Sequence, residues 1–211
     1  MADIYSLPIQ GTVLTRSSGQ EYQNAIQRFS ELAILKPAYI IFPSAFSDIP
    51  ILLKYAAAQT PPIEIAVKGG GSKFLPWASS DGGLVIDLAR LNRVAVSDDK
   101  NTVTVQGGAL WGDVYLETEK VDVHVVGPHF WFIGVAGFLL SGGYSRLDGD
   151  HGLGLDNVLE ATVVLADGRI VKTSATEEPD LFWAIRGVSS RAFSLGHWGP
   201  TLTLTSGIRR G

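Results

Sequence analysis

Glycine in this 211-residue chain gathers in three blocks, and their placement constrains the fold more than any other feature. The first block is Lys68-Gly69-Gly70-Gly71-Ser72-Lys73-Phe74. The second opens on Ile133, Gly134, Val135, Ala136 and Gly137 and closes on Gly142, Gly143 and Tyr144. The third holds Gly152, Leu153, Gly154 and Leu155, followed by Asp156, Asn157 and Val158. Each borders an apolar segment. Glycine turns at φ > 0 and lets backbone approach a ligand closely. Clustered N–H groups form a concave nest for an anion. Three such blocks suit a long ligand with a charged middle, such as a dinucleotide.

The first block follows an alternating segment at 63–67, which reads as a strand. It is not a Gly-x-Gly-x-x-Gly turn, because Phe74 stands where the third glycine belongs. No phosphate loop of the nucleotide hydrolases is present, and no Gly-x-Ser-x-Gly elbow. In the second block a short helix over 135–140 would aim its N-terminus at a phosphate. Close helix–sheet packing accounts for the same glycines, so both readings stay open.

Hydrophobic residues make up 45% of the chain and charged ones 18%, enough apolar content for a core and too little charge for disorder. The net charge of −4 argues against a nucleic-acid surface. The chain has no cysteine, which excludes disulfides, thiolate metal sites and cysteine nucleophiles. The N-terminal residues lack the basic and apolar regions of a signal peptide, and no apolar run reaches the length of a membrane span. As written, the chain reads as soluble and cytoplasmic, and its compartment stays open.

Apolar spacing predicts a helix over 22–35 that Pro37 stops, then a buried strand at 39–43. A helix over 48–59, capped by Ser47, and the strand at 63–67 complete a β-α-β unit. Further strands are expected at 84–87, 94–96, 102–105, 158–165 and 170–172, with a hairpin turn at 98–101. Helices are expected at 110–119 and 180–185, and an extended segment at 121–126. Residues 188–211 are rich in Ser, Gly and Arg, with one edge strand expected at 201–205. The pattern is α+β.

His124, His129, His151 and His197 lack metal-ligand spacing, and the Asp148-Gly149-Asp150-His151 stretch matches no calcium loop, so no metal site is assigned. The triplet Phe130-Trp131-Phe132 fits either a ligand pocket or the core.

Read in order, further motifs carry a resemblance: Lys36-Pro37, Ser79-Ser80-Asp81-Gly82-Gly83, Gly107-Gly108-Ala109-Leu110-Trp111-Gly112-Asp113, Ala166-Asp167-Gly168 and Pro179-Asp180-Leu181-Phe182-Trp183. With the glycine blocks, they make the chain resemble the PCMH-type FAD-binding domain of the vanillyl-alcohol oxidase and berberine bridge enzyme group, over roughly residues 36–187. The resemblance implies an α+β fold of two subdomains with FAD between them. The expected division is an N-terminal arm over 1–35, subdomains over 36–105 and 106–187, and a divergent tail over 188–211, with the family's substrate domain absent. Carried over, Gly69, Gly70, Gly71, Ser72, Lys73 and Phe74 wrap the pyrophosphate. Ile133, Gly134, Val135 and Gly137 hold the other face with Gly142, Gly143 and Tyr144. Gly152 and the strand at 158–165 lie near the adenosine. Many relatives carry a flavin-linking histidine where this chain has Ser72, and bicovalent relatives a cysteine near Phe130. Non-covalent FAD is therefore expected.

The resemblance implies an oxidoreductase passing hydride from a small organic substrate, an alcohol, sugar or secondary metabolite, to flavin. The catalytic base is unassigned; Tyr144 and Asp113 are available. The alternative from another class is a non-catalytic flavin-binding remnant whose exposed apolar face promotes association. A third is a flavin subunit served by a substrate site on a separate chain.

Overall fold

The computed structural model describes residues 3–187, 198–205 and 208–209. Two sheets organise them. The first has the order β1-β2-β4-β3, built from β1 (Thr12–Leu14), β2 (Tyr39–Phe42), β3 (Ile65–Lys68) and β4 (Leu84–Asp87). β2, β4 and β3 run parallel and β1 is antiparallel to β2. The helices α1 (Gln20–Ala25) and α2 (Asp48–Ala57) cover opposite faces. Ile41, Leu84, Ile86 and Val67 pack with Leu52 and Leu53 of α2, while Ile40, Val85 and Ala66 pack with Tyr22 and Ile26. That two-sided burial is why Leu84, Val85 and Ile86 form an unbroken apolar run.

The second sheet has the order β5-β6-β10-β8-β9, all antiparallel: β5 (Val94–Val96), β6 (Thr102–Gln106), β8 (Val158–Val164), β9 (Ile170–Ser174) and β10 (Trp198–Thr205). Its core joins Val103, Val105, Ala161 and Val163 to Trp111 and Val114 of α3 (Trp111–Glu119), and to Val135, Ala136 and Leu139 of α4 (Val135–Leu139). A short pair, β7 (Val123–His124) with β11 (Ile208–Arg209), lies apart; α5 (Asp148–His151) and α6 (Pro179–Ile185) complete the elements. The first sheet ends at Asp87 and the second begins at Val94.

Three expectations change. The helix expected over 22–35 stops at Ala25. Past it, the Arg28 guanidinium takes the carbonyls of Ala25, Gln27 and Ala78, and the Phe29 N–H goes to the Gly71 carbonyl, so this stretch leaves the helix to brace the first glycine loop. Ser47 does not cap α2 with its side chain. Asp48, 1% exposed, does the tying, accepting from the N–H groups of Ser44, Ala45 and Gln10. The strand expected at the edge over 201–205 is interior: β10 pairs with β6 on one side and β8 on the other. Its register against β8 shifts between Trp198 and Thr201, where Pro200 cannot donate to a ladder. The rest of the tail, residues 188–197, 206–207 and 210–211, lies outside the described residues.

Candidate functional site: a cleft between the glycine loop and helix α4

β3 delivers the first glycine block to the end of the parallel sheet. Its last residue, Lys68, pairs at 2.7 Å with Asp87, the last residue of β4, which is fully buried. Asp87 also accepts from the Ala89 N–H. Lys68 therefore anchors the loop to its neighbouring strand.

Beyond that anchor the loop crosses to the second unit. A Cβ on Gly70 would lie 2.5 Å from the Gly134 nitrogen, and one on Gly134 would strike Gly70 in turn. The two blocks touch backbone to backbone, so at this pinch both glycines are needed for packing. Gly71 (φ +65) and Gly143 (φ +80) sit in the left-handed region that glycine favours.

Beside the pinch opens a cavity of about 290 Å³. Gly69, Gly70, Gly71, Ser72 and Lys73 form one wall, and Ile133, Gly134, Gly137, Phe138, Ser141, Gly143 and Tyr144 the other. A larger cavity of about 700 Å³ shares Val67 and Trp77 with it and continues between α2 and the sheet to Val164 of β8. The Ser79 hydroxyl lines that larger cavity, buried and without a hydrogen-bond partner among the described residues.

Of the site residues expected from sequence, Phe74, Val135, Gly142 and Gly152 are not among the described walls of the smaller cavity. Phe74 is exposed and meets Phe29 edge to face. Val135 is buried in the second core and gives its N–H to the Ala109 carbonyl. Gly142 (φ +104) makes the turn after α4, and Gly152 (φ +71) ends α5. Asp113 accepts from the Leu110 N–H at the start of α3, which occupies its carboxylate, and Tyr144 is 82% exposed. The aromatic triplet lines neither of the two cavities described and lies outside the core clusters: Phe130 and Trp131 are exposed, and Phe132 stacks on Phe29 with ring centroids 5.3 Å apart. Sequence reasoning missed Trp77, Phe138 and Ser141, which have no motif of their own.

Two observations test whether a dinucleotide fits. The N–H groups of Gly70, Gly71, Ser72 and Lys73 find no acceptor among the described residues. Gly137 is the second. It lies inside α4 without positive φ, and the nearest atom to a Cβ there is Lys73 Cε at 4.0 Å. Glycine inside a helix costs about 1 kcal/mol against alanine. Neither packing nor backbone conformation requires it, which leaves the open space itself: bare backbone for a group that approaches closely. A run of N–H donors without a described acceptor and an open stretch of backbone, lining one largely apolar cavity, fit a flat ring joined to a diphosphate.

The family described as FAD binding domain matches residues 37–174. The chain belongs to the FAD-linked oxidoreductases with a PCMH-type, berberine bridge enzyme-like FAD-binding domain. It is 36% identical over 181 residues to the FAD-linked oxidoreductase pgmH of Aspergillus terreus, covering 85% of this chain and 36% of that protein. It is 40% identical over 157 residues to glucooligosaccharide oxidase of Sarocladium strictum, covering 72% of this chain and 30% of that protein. Its fold matches 6-hydroxy-D-nicotine oxidase of Arthrobacter nicotinovorans with a TM-score of 0.87 at 27% identity, over 97% of this chain and 44% of that one. It matches glucooligosaccharide oxidase of Acremonium strictum, whose FAD is 6-S-cysteinyl and 8α-N1-histidyl, with a TM-score of 0.81 at 29% identity, over 93% and 40% of the two chains. The chain thus spans between 30% and 44% of these relatives' length. Among the described residues no helix is long and apolar enough to cross a membrane.

Proposed function

We propose that the chain binds FAD non-covalently in this cleft and serves the oxidation of a small organic substrate. The observation that carries the reading is one cavity lined both by Gly137, with open backbone, and by Gly70 to Lys73, whose N–H groups have no acceptor among the described residues. In this reading those N–H groups hold the diphosphate. Gly137 and Phe138 of the smaller cavity would hold the ring. The larger cavity, which shares Trp77 with the smaller one, would hold the adenosine half, with the unpartnered Ser79 hydroxyl available to it. Bound FAD supplies the acceptor for a substrate hydride; the chain supplies placement, exclusion of water and charge.

Non-covalent binding rests on this chain's own residues. Ser72 has no ring nitrogen to form a histidyl link, and the chain has no cysteine to form a cysteinyl one. Substrates of the sugar or alkaloid kind are suggested by the relatives, glucooligosaccharide oxidase and (R)-6-hydroxynicotine oxidase.

The visible spectrum of the purified chain, before and after acid precipitation, tests the cofactor. Flavin bands whose colour passes to the supernatant are expected. Colour kept in the pellet overturns non-covalent binding, and a colourless protein that added FAD cannot reconstitute overturns the cofactor assignment. A second reading, flavin binding without turnover, is favoured by the engaged Asp113 carboxylate and by the titratable groups among the described residues of the smaller cavity, which are Lys73 and Tyr144. Anaerobic bleaching of the flavin by a panel of alcohols, sugars and cyclic amines separates the two readings.

A further inference from the structure

Among the described residues lining the smaller cavity, Lys73 brings the only charge. Its Nζ donates to Ser141 Oγ at 2.8 Å, and Ser141 Oγ donates to the Gly137 carbonyl at 2.8 Å. The ammonium is thereby tied across the cleft, from the glycine loop to α4. It lies 5.2 Å from the centre of the Trp77 ring. Its stem borders the open backbone, with Lys73 Cε 4.0 Å from a Cβ built on Gly137. A group seated on Gly137 therefore has Lys73 beside it. Ser141 takes one of the ammonium's three donors. Burial lowers the Lys73 pKa, and no carboxylate offsets that cost. Among the described residues no counter-ion faces this half-buried charge across the apolar slot, so it acts on a neighbour more strongly than a fully solvated charge does.

An unbalanced cation favours whichever form of a ligand carries more negative charge. A neutral flavin ring that receives a hydride gains two electrons and one proton, and so gains one negative charge. We propose that Lys73 binds the reduced ring more tightly than the oxidised ring and thereby raises the reduction potential of the bound cofactor. This rests on the reading that FAD occupies the cleft. It assigns to a lysine of the glycine loop a task that a covalent flavin link cannot perform in a chain with Ser72 and no cysteine. By linkage, the ratio of the two affinities and the shift in potential are one quantity, with a tenfold ratio equal to about 30 mV for a two-electron couple.

The test uses the 211-residue chain with FAD as the probe. The dissociation constant of oxidised FAD is measured by fluorescence quenching, and the midpoint potential by equilibration with reference dyes. Lys73→Met is expected to lose at least tenfold in the reduced-to-oxidised affinity ratio, a fall of about 30 mV or more. Lys73→Gln removes the charge while keeping a donor for Ser141, and is expected to fall as far, which covers the case of a methionine variant that fails to fold. Lys73→Arg should keep most of the wild-type potential. Ser141→Ala, which frees the ammonium, should fall part of the way. An unchanged potential in Lys73→Gln overturns the proposal, whether or not thermal stability drops. Equal weakening of oxidised and reduced FAD also overturns it, because the charge then serves the diphosphate. If wild-type chain takes up no FAD, the cofactor reading fails first and the proposal with it.

Discussion

The pinch at Gly70 and Gly134 and the open floor at Gly137 lie in one cleft, and both are glycine for opposite reasons. At the pinch a methyl group has no room, because backbone from the other block already occupies the position. At the floor a methyl group meets no described atom outside its own helix nearer than 4.0 Å. The first glycines hold the two halves of the fold together, and the second keeps space clear. A motif made of glycines thus mixes structural and ligand-facing positions, and only the surroundings of each Cβ tell them apart.

The comparison can be broken from either side. Lys68→Met has the largest expected effect, because it leaves the buried Asp87 carboxylate without its partner. A loss of about 3–5 kcal/mol is expected in denaturant melts. If Lys68 belonged to the ligand instead, FAD affinity would drop with stability intact. Gly134→Ala should follow, at about 3 kcal/mol, the upper part of the usual overpacking range, since backbone and not a flexible side chain must yield. A melting temperature within a degree of wild type would falsify the pinch. Gly137→Ala should behave in the opposite way. Its melting temperature should hold or rise, consistent with the gain of about 1 kcal/mol for alanine in a helix, while FAD affinity falls about tenfold. Loss of stability with affinity preserved would return Gly137 to the packing class. Ser79→Ala is the smallest case. Removing an unpartnered buried hydroxyl should leave folding within about 0.5 kcal/mol, and affinity for FAD should drop a few-fold while that for riboflavin stays unchanged.

Much of this was legible in the chain itself. Alternation and helical spacing located the strands and helices around residues 39–68 and 84–119 because those elements bury residues at local periods. The walls of the smaller cavity were legible through their glycines, together with Ser72, Lys73, Ile133 and Tyr144. What was not legible depends on partners distant in sequence. The helix expected to run through Phe29 ends early because Arg28 and Phe29 are recruited by Ala78 and Gly71. Lys68 could be placed in a motif, but its pairing with Asp87 follows from the register of β3 on β4. Phe138 and Ser141 belong to the cavity because the first glycine block folds against α4, which no local pattern records. The identity of Gly137 could be read, but its reason could not.

The interior place of β10 also dictates an order of events during synthesis. β6 and β8 are separated in sequence by α3, α4 and α5 and do not pair with each other in the sheet; each has the strand at Trp198–Thr205 as its neighbour. Until the ribosome has passed that point, the growing chain carries two half-sheets with open hydrogen-bonding edges, the surfaces most prone to join a stranger. A stall before residue 198 and one after residue 205 would thus release different molecules: the first with a sheet still gaping, the second with the strand that closes it.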